Sequence, residues 1–189
     1  MRYGICLPNG GVCGDPQTLA DLAACAEEAG WDGIFLEDYI VWQGHQDVPT
    51  YDPWIALAAM AVRTTHIRLG TSITPLPRRR PWRVASEATT LDHLSNGRLI
   101  LGVGSGDTTI DISFTHFGEV TEAKQRGPAA SYDIVLGGRH RAEDWEAERT
   151  LITSLAEAGM TWWVEYAPPV IGGLDEFRAV VQRGPLRID

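Results

Sequence analysis

The 189-residue sequence predicts an α/β fold, a parallel sheet wrapped by helices. Three observations carry this. Short runs such as Gly33-Ile34-Phe35-Leu36 are apolar at every position, which suits strands covered on both faces. Segments with apolar residues at helical spacing separate those runs. Two helix starts share a signature, Asp15-Pro16 and Asp52-Pro53, in which a carboxylate caps the helix and proline takes its first position.

The elements follow in order. Tyr3 to Leu7 is a buried strand closed by the turn Pro8-Asn9-Gly10-Gly11. The helix from Pro16 carries Leu19, Leu22, Ala23 and Ala26 on one face and stops at Gly30. Gly33 to Leu36 is the second strand. Pro53 opens a helix with Ile55, Leu57 and Ala58 that ends near Thr64-Thr65, and Ile67 to Ile73 is strand three. A helix from Pro81 with Val84, Ala88 and Leu91 is terminated by Ser95-Asn96-Gly97, and Leu99 to Val103 is strand four. Residues 103–131 then lose periodicity; glycine, threonine, aspartate and serine dominate at first, and Thr121 to Gln125 allows only a short helix. Order returns with a strand over Tyr132 to Leu136 closed by Gly137-Gly138, a helix over about Glu143 to Ala158, a strand over Thr161 to Glu165 and a helix over Leu174 to Gln182. The expectation is one domain over 1–189.

Composition narrows the functions. A formal charge of −9 repels nucleic acid and anionic membrane surfaces. The one basic cluster, Arg78-Arg79-Arg80, reads as a solvated helix start, with anion binding as the alternative. Cys6, Cys13 and Cys25 form no Cys-x-x-Cys pair, an odd set that suits a reducing, cytoplasmic setting. Five scattered histidines give no ligand spacing, so no metal site is expected. No apolar run nears the ~20 residues of a membrane span. Gly104-Ser105-Gly106 follows Val103, so the Gly-x-Ser-x-Gly nucleophile elbow is absent, and Asp107 breaks the dinucleotide fingerprint.

The chain also echoes itself. Glu28-Ala29-Gly30 leads into Ile34-Phe35-Leu36-Glu37, and Glu157-Ala158-Gly159 leads into Trp162-Trp163-Val164-Glu165. Function in barrels gathers where strands end, so Glu37, Asp38 and Glu165 stand out, against the plainer reading of loop carboxylates.

Three stretches carry a resemblance to a known family. They are Ala29 to Asp38; Asp52-Pro53-Trp54 through Arg68-Leu69-Gly70-Thr71-Ser72-Ile73-Thr74-Pro75 to Gly102-Val103-Gly104-Ser105-Gly106; and Tyr132 to Gly138 with Ala158 to Glu165. In this order they resemble the bacterial-luciferase-like oxidoreductases. The resemblance implies a TIM-barrel-like (β/α) fold, truncated here to about six parallel strands because the fifth and sixth βα units are missing. It implies an oxidoreductase or monooxygenase acting on a small organic substrate with FMN or a deazaflavin, and a homodimer. The ring would lie at the strand ends on Ser72, Ile73 and Thr74, beside an irregular or cis peptide between Ser72 and Ile73. Asp38, Trp42, Gly104 and Ser105 would complete the cofactor site. Asp38, Tyr39 and Glu165 are the weak catalytic candidates.

Two departures qualify that picture. Tyr39 stands where the family commonly has histidine, and a phenol with a pKa of about 10 is a poor proton shuttle at neutral pH. The missing units carry the family's phosphate anchor, so cofactor binding is expected to be micromolar or weaker, unless a partner subunit supplies Arg78, Arg79 or Arg80. The alternative is a degenerate member, a non-catalytic flavin-binding protein or a purely structural homodimer.

Overall fold

The computed structural model describes residues 1–42, 45–106, 135–139, 141, 143–167 and 173–188. Its strands are β1 (Arg2–Leu7), β2 (Gly33–Leu36), β3 (Arg68–Thr71), β4 (Thr74–Pro75), β5 (Leu99–Ile100), β6 (Val103–Gly104), β7 (Val135–Arg139) and β8 (Trp162–Tyr166). Its α-helices are α1 (Pro16–Glu28), α2 (Pro53–Arg63), α3 (Pro81–Leu94), α4 (Trp145–Glu157) and α5 (Leu174–Gln182). The two Asp-Pro starts behave as capping chemistry requires: Asp15 accepts from the N–H groups of Gln17 and Thr18, and Asp52 from those of Trp54 and Ile55. Asp144 caps α4 through Ala147 in the same way.

Six strands form one parallel sheet in the order β5-β3-β2-β1-β8-β7. The α/β class and the parallel pairing of the 132–136 and 161–165 regions are as expected. Among the described residues no pairing joins the end strands β5 and β7. The five described helices pack on one face. There Leu19, Leu57, Val84, Ile152 and Phe177 meet the outward residues of the strands, including Ile5, Ile34, Leu69 and Trp163. The opposite face carries a smaller cluster of Cys6, Phe35, Trp162 and Val164, with Ile100 and Tyr166 against it. In a (β/α) barrel that helix-free face is the interior.

Strands three and four are each broken in two, which the apolar runs did not foretell. The Ser72–Ile73 peptide is cis and separates β3 from β4, at the place the resemblance implied. Leu101 and Gly102 separate β5 from β6, which pairs with β4; Val103 is strand as expected, and Gly104 is strand rather than the start of the irregular stretch. β7 begins at Val135 and runs through Gly137 and Gly138 to Arg139, with a register shift where those glycines were expected to end it. The short helix expected over Thr121 to Gln125 and the strand residues 132–134 lie outside the described residues.

Two polar clamps hold the α2–β3–α3 region. Glu27 at the end of α1 accepts from the N–H groups of Thr65, His66 and Ile67, the last two at 2.7 Å. Burial would raise its carboxyl, but those donors outweigh it and hold the group at about 2. Buried Arg98 donates to the carbonyls of Ala61, Thr64, Ile67 and Ser95 and to the Thr64 hydroxyl. It thereby satisfies carbonyls at the ends of α2 and α3 that no helical partner reaches.

Candidate functional site

Asn9, fully buried, ties together the C-terminal ends of β1 and β2. It donates to the carbonyls of Tyr39 and Tyr51 at 2.7 and 2.8 Å, and accepts from the Tyr39 N–H. This draws the loop after β2 over the start of α2. The result is a shallow cleft of about 180 Å³ lined by Asp38, Tyr39, Ile40, Tyr51, Asp52 and Arg79 among others.

Asp38 forms the inner wall of the cleft, and its carboxylate is only 6% exposed as a residue. Arg79 grips both of its oxygens at 2.8–3.1 Å, and Arg78 reaches one oxygen at 3.1 Å and also donates to the Asp38 carbonyl. Burial pushes the Asp38 carboxyl up, against the pull of the Arg79 and Arg78 guanidiniums. The Arg78 side chain is buried and that of Arg79 mostly so, which corrects the reading of Arg78-Arg79-Arg80 as a solvated helix start. Their length lets the short 3-10 turn Leu76–Arg78 fold them back under α2, and Arg80 alone of the three is exposed. Arg78 and Arg79 are thus both paired with Asp38 within the chain.

Side-chain parity decides where the other carboxylates go. Alternate residues of a strand face opposite sides. Phe35 faces the helix-free side, and so does Glu37 two residues later, where Cys6 and Tyr166 neighbour it. The Trp42 indole N–H donates to Glu37 at 3.3 Å, and buried Trp42 stacks on His45. In β8 the inward positions are Trp162, Val164 and Tyr166, which turns Glu165 to the helix side. There Arg141 takes both Glu165 oxygens at 2.7–3.3 Å, and Arg183 adds a contact at 3.4 Å. Glu37 stands seven residues after Gly30 and Glu165 six after Gly159, so the two halves of the echo end on opposite faces.

A second surface lies at the ends of β3 and β5. The hydroxyls of buried Thr71 and Thr74 are 2.8 Å apart, and Thr71 also donates to the Gly102 carbonyl. Above this pair Ser72 is exposed and Ile73 half-exposed. A Cβ on Gly104 would stand 3.1 Å from Ile73, and one on Gly102 would stand 2.0 Å from the Thr71 carbonyl oxygen. The two strands therefore approach closely only because both positions lack a side chain. Ser105 is exposed beyond them, and its hydroxyl donates to the neighbouring Gly106 carbonyl at 3.4 Å. Ser72 donates from its N–H to the Leu36 carbonyl at 2.9 Å, which sets it level with Glu37.

Comparison with known proteins decides the family. The pattern of the luciferase-like monooxygenases matches residues 1–174. The chain belongs to that family.

This luciferase-like chain is 40% identical over 102 residues to an F420-dependent glucose-6-phosphate dehydrogenase of Nakamurella multipartita, a match covering 51% of the chain and 29% of that protein. It is 42% identical over 83 residues to a 4-hydroxyprotoasukamycin monooxygenase of Streptomyces nodosus subsp. asukaensis, covering 44% and 22%. Its matches thus span about a third or less of these relatives. Among solved structures, the monooxygenase RslO1 from Streptomyces bottropensis superposes with a TM-score of 0.51 at 30% identity, over 62% of the chain and 36% of that protein. Apo-MsnO8 superposes with a TM-score of 0.54 over 97% of the chain and 62% of that protein, and at 18% identity this shows the fold alone.

The structure brings Ser72, Ile73 and Gly104 onto one surface with Thr74 buried beneath it and Ser105 beyond, and it sets Trp42 beside Glu37. It sends Asp38 to the neighbouring cleft and Glu165 to the helix layer. Asn9 and the inward face of Glu37 went unread. Asn9 sits in an ordinary Pro-Asn-Gly-Gly turn, and the facing of Glu37 emerges only from the strand's pleat. Among the described residues no three metal-ligating side chains gather, and no helix is long and apolar enough to cross a membrane.

Proposed function

We propose that this chain is an oxidoreductase of the luciferase-like type that uses a flavin (FMN) or deazaflavin ring on a small organic substrate. The observation that carries the reading is the open surface of Ser72, Ile73 and Gly104. It is backed by the buried Thr71–Thr74 pair, and the bare Gly102 and Gly104 let the two strands close up beneath it. Bound there, the ring would supply two-electron redox chemistry that no side chain of the chain can supply. The chain's own part is to seat the ring on Ser72–Thr74, flank it with Trp42, and hold polar groups of the mouth toward the reacting atoms. Asp38, with two guanidiniums on it, keeps the cleft in shape. Tyr39 lines the same cleft and suits hydrogen bonding to a substrate hydroxyl better than proton transfer. The relative named as F420-dependent supports the deazaflavin, and the one named as a monooxygenase supports the oxygenase form of the reaction. Exposed Ile55, Val62 and Trp82 on α2 and α3 support a homodimer through these helices.

The test is a titration of the purified chain with FMN and with the deazaflavin coenzyme, followed by absorbance. Saturable binding in the micromolar range or weaker is expected, and quenching of tryptophan emission should accompany it. Absence of binding by either ring refutes the proposal. One observation favours a second reading, a non-catalytic flavin-binding or structural homodimer. Arg78 and Arg79 are consumed by Asp38, so among the described residues they leave the cofactor's phosphate tail without an anchor at this mouth. Binding without any substrate-dependent reoxidation of the ring would select the flavin-binding form. A dimer that binds neither ring would select the structural one.

A further inference from the structure

We propose that Glu37 is the proton-exchanging group of this mouth, the carboxyl that takes up and returns the proton accompanying two-electron transfer between substrate and ring. The inference rests on the oxidoreductase reading above. Among the described residues, Glu37, Asp38 and Glu165 lie near the strand termini, and two of them are paired: Asp38 with Arg78 and Arg79, Glu165 with Arg141 and Arg183. Among the described residues no ion pair reaches Glu37. Guanidiniums beside a carboxylate favour its charged form, whereas neutral donors leave it freer to take up a proton.

Among the described residues, the groups that act on Glu37 are neutral or acidic, with His45 behind Trp42. Cys6 lies on β1, Cys13 on the 3-10 turn that follows, Tyr166 on β8, and the Trp42 indole donates from the loop after β2. From its own loop Tyr39 acts on the neighbouring Tyr166. Burial pushes the Glu37 carboxyl up, with Trp42 and Tyr166 opposing it in part. Burial and the Glu37 charge together push the thiol of Cys6 up as well, so Cys6 stays protonated and does not compete as a base. Position completes the case. Glu37 is level with Ser72 at the edge of the ring surface, because the Ser72 N–H is bonded to the Leu36 carbonyl on the adjacent strand.

The step balances as follows. An alcohol substrate's C–H bond breaks, and its electron pair leaves with the hydrogen as hydride to the oxidised ring. The substrate's O–H proton passes to a Glu37 oxygen, and the carbon–oxygen double bond forms. The alcohol carbon is oxidised and the ring reduced by two electrons; reversal returns the proton from Glu37 to the carbonyl oxygen.

The test uses the full chain with FMN as probe. The Glu37 carboxyl is followed by carbon-13 NMR against pH, free, with oxidised FMN and with chemically reduced, anionic FMN. The expected result is a midpoint above the glutamate reference of about 4.3, rising by one unit or more with the reduced ring. By linkage, affinity for reduced FMN should fall by up to about tenfold per pH unit above the free-protein midpoint, a dependence lost in Glu37→Gln. A midpoint in the ordinary range, or one unmoved by the reduced ring while FMN binds, overturns the Glu37 assignment and leaves the oxidoreductase reading standing. Failure of either form of FMN and of the deazaflavin coenzyme to bind overturns both. The NMR titration needs only the wild-type chain, so it decides the matter even if Glu37→Gln does not fold.

Discussion

Arg79 holds Asp38 by both carboxylate oxygens, with one terminal nitrogen at 3.0 and 2.8 Å and Nε at 3.1 Å, while Asp38 is almost wholly withdrawn from water. This bidentate pair, reinforced by Arg78, joins the end of β2 to the start of α3. Removing one partner strands the other's charge. Asp38→Ala is therefore expected to lose about 3–5 kcal/mol, measured by urea denaturation. Arg79→Lys should recover only part of the loss seen in Arg79→Ala, because an ammonium cannot match both oxygens at once.

Glu27 makes stability depend on acid. Its folded-state pKa of about 2 lies below its ordinary value of 4.5. The stabilisation is thus fully present above pH 4.5 and is lost as the pH falls from there toward 2. After allowance for screening at this partly exposed site, it is on the order of 2 kcal/mol. Glu27→Gln should lower the thermal midpoint at pH 7 and leave that midpoint less sensitive to pH between 4.5 and 3 than in the wild type.

Arg98 should tolerate no neutral replacement. Arg98→Met keeps the stem but leaves the carbonyls of Ala61, Thr64 and Ile67 with one donor fewer in a buried place. A loss of about 3 kcal/mol is expected by denaturation. Hydrogen exchange should show faster opening at the C-terminal end of α2 than in the wild type.

Gly102→Ala tests the ring surface. Its new Cβ would meet the Thr71 carbonyl oxygen at 2.0 Å, so β3 and the Leu101–Gly102 link must move apart. FMN affinity should fall by tenfold or more, read by absorbance titration, while Ser105→Ala, at an exposed and weakly bonded side chain, should change it little.

Much of this was legible in the chain itself. The Asp15 and Asp52 caps, the covered apolar strands and the parallel order are local chemistry and periodicity, and they appear in the structure where the residues put them. The stretch from Asp52 to Gly106 carried the family. Periodicity misplaced the breaks in strands three and four, because an apolar run shows no sign of a cis peptide at Ser72–Ile73 or of the close approach at Gly102.

Partnership is what only the tertiary structure decided. Arg78 and Arg79 read as a solvated basic run, and became buried counter-ions once β2 and the turn before α3 were brought together. Asp38, Glu165 and Glu37 were three similar strand-end acids in the sequence. A single residue's difference in spacing turned Glu165 into the helix layer and Glu37 toward the mouth, and long-range contacts gave arginines to two of them. Local sequence determines where a strand or helix begins. Which charges end up facing each other depends on pleat parity and on contacts between residues about 40 positions apart, and these exist only in the folded chain.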